Sequence, residues 1–354
     1  MTQKLLFLCV AASLMALGAC GDDPIVLDGG DAPNNTPNNT PNNAPNNDGP
    51  NNDSPNNVVD PNNAPNNAPN NDIIPDEMTE FAGGDASGQW SGHVVVSGSV
   101  RVPAGQTLEL LAGTYVEVAT GAERINIDVE GTLLIQGAMG SPVTLTATQG
   151  WAGLNVSGTV RGGFVNIRMA ERGIRGEEGS VIELADTTIL ECAQSMTLAS
   201  GGTFDRTTII GGSTVRISGG VLRMTDSVID FEKPEEVPDC TKWSGGGAVL
   251  DHVRFTGCHC PLHFDAATEE VVITNSIFDG AAYPAMVAQM NGRFNGNHFL
   301  GGINHLLDVG GGINLDISGN YFDGGAPNLG SGDLSQFQNA DVYETSPISG
   351  VGPR

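Results

Sequence analysis

From residue 93 to residue 119 the chain reads "HVVVSGSVRVPAGQTLELLAGTYVEVA", with apolar and polar residues alternating between breaks at Gly and Pro-Ala-Gly. A period of two buries one face of a strand, and the glycine-rich breaks predict turns. Further on one phrase recurs: "FVNI" at 164, "DTTI" at 186, "RTTI" at 206, "DSVI" at 226, "HVRF" at 252, "NSIF" at 275, "NHF" at 297 and "NYF" at 320. Its closing residues are Ile167, Ile189, Ile209, Ile229, Phe255, Phe278, Phe299 and Phe322, spaced by 22, 20, 20, 26, 23, 21 and 23 residues. A period near twenty-two with no helical stretch inside it predicts one solenoid coil per repeat. Each coil can bury its inner face only when a neighbour stacks on it.

Aligning the repeats gives two further columns. Five residues before the closing position stand Leu184, Phe204, Met224, Leu250, Ile273, Phe294 and Ile317, all apolar. Two residues before it stand Thr187, Thr207, Ser227, Val253, Ser276, Asn297 and Asn320, mostly small and polar. Like over like at about 4.8 Å predicts an apolar ladder inside and a hydrogen-bonded polar ladder at a turn. Gly211, Gly257, Gly280, Gly301 and Gly324 follow where tight corners call for positive φ.

The pattern stops at the N-terminal side. Nine Pro-Asn-Asn copies between Asp31 and Asp72 offer no apolar face, so residues 20–80 read as a disordered, partly polyproline-like linker. Forty such residues at about 3.1 Å each span at most ~120 Å. Before them "MTQKLLFLCVAASLMALGAC" has one Lys, an apolar run from Leu5 to Met15 and small residues, the layout of a secretory signal over residues 1–19. Its ending, Leu17-Gly18-Ala19-Cys20, resembles the lipobox of bacterial lipoproteins. The resemblance implies diacylated Cys20 as the mature N-terminus and, with Gly21 next, a bacterial outer-membrane location, possible exposure at the cell surface included. The membrane is then one partner, reached through the lipid.

From about Trp90 to Tyr321 the chain resembles the right-handed parallel β-helix of the pectin-lyase-like superfamily. "GSVRVPAGQTLELLAGTYVEV" looks like its opening coils, "TNSIF", "GNHF" and "GNYF" like its Asn-containing turn phrase, and "ETSPISG" like the phrase that closes such helices. The expectation is therefore an all-β chain, a single right-handed parallel β-helix over residues 81–325 with a closing segment or tail over 326–354. A leucine-rich horseshoe is the rival, but its Leu-x-x-Leu-x-Leu phrase is missing. Because the superfamily includes lyases, hydrolases, epimerases, adhesins and structural proteins, the resemblance implies a fold rather than an activity.

Composition narrows the partners. The chain has 49 Gly, 5% aromatic residues and a formal charge of −26, which repels phosphate backbones and argues against nucleic acid. The carboxylate surplus suits calcium, or simply solubility at an external surface; no cofactor or metal site is expected from a motif.

In the superfamily the working face is the outer side of the strand after the corner glycines, which in a lyase needs calcium-holding carboxylates with an Arg or Lys base, and in a hydrolase paired carboxylates. Charged residues in those strands are few: Arg175, Arg216, His263, and His305 with Asp308. No stacked pair of carboxylates stands beside an Arg in the repeats, and no catalytic residue is assigned. The longest coil inserts "DFEKPEEVPDCTKWSGGG", where Glu232, Glu235, Glu236 and Asp239 precede Lys242 and Trp243. Insertions in solenoids map to one face, often the binding face, so Trp243 either stacks on a sugar ring or pins the loop to the solenoid.

The next coil carries "CHCPLH", with Cys258, His259, Cys260 and His263. In an exported chain such cysteines form disulfides rather than metal sites. Cys240 lies one coil away and pairs with Cys258 or Cys260. Cys192 shares a column with Cys258 but sits three coils, roughly 14 Å, from it, beyond disulfide reach. The candidate ligand-binding set is thus Trp243, Arg216, His259 and His263. The expected role is non-catalytic binding or adhesion to an extended polysaccharide or a cell-surface component. Alternatives are a polysaccharide lyase or glycoside hydrolase built on the same residues, and a passive envelope component.

Overall fold

A computed structural model describes residues 74–119, 124–232, 239–280, 283–301, 306–308, 312–327 and 336–354, all within the unit that spans residues 68–354. The signal segment 1–19, Cys20 and the linker through residue 73 lie outside the described residues, as do Glu235, Glu236 and His305.

The closing residues of the repeats stack as their spacing predicts. Ile167 pairs with Ile189, then Ile209, Ile229, Phe255, Phe278, Phe299 and Phe322, each in parallel register with the next. All eight are buried. The four phenylalanines stack ring on ring at 5.2, 5.2 and 5.0 Å, which adds aromatic contact to the buried area. The second apolar column pairs likewise from Leu184 through Phe204, Met224, Leu250 and Ile273 to Phe294.

Every named strand pairs in parallel with a strand of a neighbouring coil, so the described residues form an all-β parallel solenoid. A full coil contributes two segments to a 23-stranded sheet and one to an 11-stranded sheet, as Val221–Thr225, Val228–Asp230 and Asp239–Trp243 do. The core lies between these walls. The first described strand is Met78–Phe81, and Phe337–Gln338 and Tyr343–Glu344 still pair with the preceding coil.

The polar column runs through the interior at the bend between the two segments. There the backbone N–H of one coil donates to a side-chain oxygen of the next: Thr207 to Ser227 at 3.0 Å, Val253 to Ser276 at 3.0 Å, Ser276 to Asn297 at 2.9 Å and Asn297 to Asn320 at 2.9 Å. A buried N–H costs free energy when unpaired, which is why a small polar residue recurs here.

Corner chemistry departs from the glycine expectation. Gly211, Gly257 and Gly301 have positive φ, but Gly280 and Gly324 are not among the positive-φ residues. Gly280 lies inside strand Ile277–Gly280, where a Cβ would meet Pro261 Cδ and the Tyr283 carbonyl at 2.6 Å each. Close approach, not chirality, calls for glycine at that site. The regular left-handed corner instead falls three residues before each closing position. It holds Phe164, Asp186, Arg206, Asp226, His252, Asn275, Gly296 and Gly319, with φ between 47° and 68°.

Candidate functional site

One outward position of the eleven-stranded sheet carries a polar side chain on nine consecutive coils. Register runs from Asp85 to Arg101, Asp128, Asn155, Arg175, Thr197, Arg216, Lys242 and His263. The pleat explains it: the flanking residues Val215 and Ile217, Thr241 and Trp243, Leu262 and Phe264 are buried, so the residue between each pair faces out. Eight intervals at about 4.8 Å make a column about 38 Å long.

Its two halves differ in charge. In the first, opposite charges meet: Arg101 bonds Asp85 at 3.3 Å and Glu130 at 2.7 Å, and Asn155 donates to Asp128 at 2.9 Å. In the second, Arg216, Lys242 and His263 stand on adjacent rungs with no acid in the column between them. Carboxylates approach from the sides. Arg175 meets Glu177 at 2.8 Å, and Lys242 meets Asp265 at 3.2 Å.

His263 lies between two carboxylates. Asp239 faces its Nδ1 at 3.0 Å and Asp265 its Nε2 at 2.9 Å. Burial opposes the charge on the ring, but the hydrogen bond and attraction of Asp239, assisted by Asp265, outweigh it and raise the His263 pKa. Only the doubly protonated ring donates to both partners. With both nitrogens facing carboxylates, His263 is placed to bond its own neighbours rather than to take a proton from a ligand.

The four candidates from the sequence separate. Arg216 and His263 share the column, two rungs apart, and Arg216 is exposed. Trp243 does not reach solvent: it is 0% exposed and its ring stacks on Phe264 at 4.2 Å. The insertion had suggested a loop residue, but Asp239–Trp243 is a strand in register with the coils on either side, which turns the indole inward. Stacking on a sugar is therefore corrected to packing in the core. His259 stays outside the column, at the turn before strand Cys260–Phe264, edge-on to Tyr283 at 5.5 Å. Asp308 belongs to strand Leu306–Asp308, where it pairs with Val287.

Asp239, Lys242 and Asp265 complete the arrangement. The sequence signal for Asp239 and Lys242 was the composition of the long coil, but its 26-residue spacing hid the register that places Lys242 beside His263, and Asp265 follows in the next coil. Cys240, next to Asp239, is joined to Cys258, with Cα atoms 5.6 Å apart. Cys260 and Cys192 are buried thiols, and burial pushes the Cys192 thiol up to about 11, which keeps it unreactive.

Two grooves flank the column. One of about 230 Å³ runs along its rungs, lined by Asp128, Glu130, Asn155, Ser157, Arg175 and Glu177. The other, of about 440 Å³, opens where the strands enter the sheet, beside Gln149, Trp151, Met169 and the paired Arg124 and Glu171. Among the described residues no three His, Cys, Asp or Glu side chains are grouped to hold a metal ion. Comparison with protein-family models, curated proteins and solved structures returns no match for this chain.

Proposed function

We propose that the solenoid binds an extended polysaccharide along the outer face of its eleven-stranded sheet, without cleaving it, and that a lipid on Cys20 and the Pro-Asn-Asn linker display it from a bacterial outer membrane. The observation that carries the binding reading is the nine-residue polar column from Asp85 to His263. A globular ligand needs a pocket, whereas an outward row about 38 Å long suits a chain laid along the stack. Engagement of both His263 nitrogens supports binding over catalysis, because both already face Asp239 and Asp265 rather than a bound chain. The resemblance to pectin-lyase-like helices supports a sugar as the polymer. The lipobox and the linker support display at a surface.

The test is retention of the unlipidated protein on immobilised neutral and charged polysaccharides, with chain length and unsaturated ends measured in the same mixtures, with calcium and with chelator. Retention on at least one polymer with no shortened chains is the expected result. Shortened chains or unsaturated ends would replace this reading with a hydrolase or lyase, and folded protein retained on none would leave a passive envelope component.

A further inference from the structure

Arg216 and Lys242 occupy neighbouring rungs of a parallel sheet, where like charges repel. In the first half of the column the chain avoids this by alternating acid and base; here it does not. Lys242 has Asp265 at 3.2 Å, but the exposed guanidinium of Arg216 has no ion pair or side-chain hydrogen bond among the described residues. On the other side of Arg216 stands Thr197, whose hydroxyl is buried and has no hydrogen-bond partner. An orphaned hydroxyl, an unpaired guanidinium and a second cation thus follow one another in one column, on a chain whose formal charge is −26. Buried polar groups are normally satisfied, so the Thr197 hydroxyl lacks a partner and the neighbouring Arg216 guanidinium lacks an anion, while Lys242 already has Asp265.

We infer that Thr197, Arg216 and Lys242 form a subsite for an oxyanion, a carboxylate or sulfate carried by the bound polymer. One anion centred over Arg216 accepts two parallel bonds from the guanidinium, relieves the repulsion with Lys242 and gives the Thr197 hydroxyl an acceptor. Rungs about 4.8 Å apart put the Arg216 and Lys242 side chains within reach of one such group, and a turn about χ1 brings the Thr197 hydroxyl, covered in the free chain, out to it. The surrounding acidity adds selectivity: the carboxylate surplus repels a polyanion in general, while the adjacent rungs of Arg216 and Lys242 put two cations side by side to receive it. This inference rests on the reading of the face as a polymer-binding surface and names the chemistry that the surface selects.

The experiment uses one backbone in three charge states: dextran, carboxymethyl dextran and dextran sulfate, titrated into the mature protein by calorimetry. The expected result is tighter binding of one or both anionic forms than of dextran, a preference that falls about tenfold or more in Arg216→Gln and with added salt. Thr197→Val, nearly isosteric, should reduce the same preference about fivefold while leaving the melting temperature unchanged or raised, since it removes an unpaired buried hydroxyl. The two anionic arms tell carboxylate from sulfate. Equal binding of all three polymers, unchanged in Arg216→Gln, would overturn the oxyanion subsite and leave the binding face standing. If the protein binds none of the three nor any other polysaccharide, both readings fall together.

Discussion

The backbone N–H of Ile348 donates to Nε2 of His298 across 2.8 Å, although fifty residues separate them. The contact belongs to a strap. From Ile348 the chain runs back along the stack: Gly352 donates to the Asn275 carbonyl at 2.8 Å, and Arg354 grips Asp226 at 2.9 and 3.1 Å. His298, Asn275 and Asp226 lie on successively earlier coils, so one segment ties coils that otherwise meet only their immediate neighbours. Gly352 lets it lie flat, because a Cβ there would come within 2.7 Å of Ile277 Cδ1.

The strap should loosen with acid. Nε2 of His298 accepts from Ile348 only while it is unprotonated, and burial lowers the His298 pKa below its ordinary value. The titratable side chain packed on the ring is Tyr321, edge-on at 5.3 Å. Near pH 6 the unfolded chain therefore binds more protons than the folded one. The contribution is present above about pH 6.5 and lost as the pH falls through that value toward the folded pKa. Asp226, held below the usual carboxylate range by Arg354, keeps its grip at that pH. Amide exchange at Ile348, corrected for intrinsic rate, should accelerate about fivefold between pH 7.5 and pH 5. His298→Gln, whose amide oxygen accepts at any pH, should abolish that difference; a pH effect surviving in the variant would refute the assignment.

His263 should respond with the opposite sign. Its folded pKa is raised, so its contribution is complete below about pH 6.5 and disappears as the pH rises through the folded pKa. Asp239→Asn replaces the charged partner on Nδ1 with a neutral acceptor. Wild type should exceed this variant in unfolding free energy by about 1–3 kcal/mol at pH 5.5, the range of a charged hydrogen bond, and by less at pH 8.5. Denaturant melts of both proteins at the two values measure it. A gap that widens with pH would mean that the ring is neutral in the folded protein.

The parts of this architecture that were legible in the sequence are those where stacking forces like onto like. Ile167 through Phe322 form a column because each side chain must fill the space over the one below, and their 20- to 26-residue spacing shows it. The left-handed corner was not legible. Phe164, Asp186, Arg206, Asp226, His252 and Asn275 share a backbone conformation but no chemistry, and the coil above and below imposes it on each. The same holds for the site. Arg216 and His263 stood out as charges in apolar strands, whereas Trp243 was misplaced because nothing in the long coil marks where the loop ends and the strand at Asp239 begins.

Trp243 now predicts a contrast between two substitutions. Its ring fills the core against Phe264, yet its indole N–H is buried with no acceptor. Trp243→Ala should cost about 3–5 kcal/mol by leaving a cavity. In Trp243→Phe the smaller ring loses contact but also removes an unsatisfied donor, so the loss should stay under about 2 kcal/mol. Folded Trp243→Phe should retain polymer binding unchanged. A specific loss of binding with stability intact would return the indole to the surface.

The Cys240–Cys258 disulfide couples stability to the face. It closes a loop with a sequence separation of 18, for which chain entropy gives about 3 kcal/mol. Cys240 is also the neighbour of Asp239, whose carboxylate holds His263, while Lys242 follows two residues later in the same strand. Without the bond the strand Asp239–Trp243 keeps its register through Trp243 and Thr241, which are fully buried, but its first residue lies next to the insertion and loses its anchor. The double variant Cys240→Ser/Cys258→Ser should therefore unfold at lower denaturant, by about 2–4 kcal/mol. In its folded form the pH dependence carried by His263 should flatten, while binding of an anionic chain at Arg216, one rung further from the bond, falls less than in Arg216→Gln. If removal of the bond left the His263 titration, followed by its ring resonances, unchanged, Asp239 would be held by the sheet alone and the disulfide would serve stability without shaping the site.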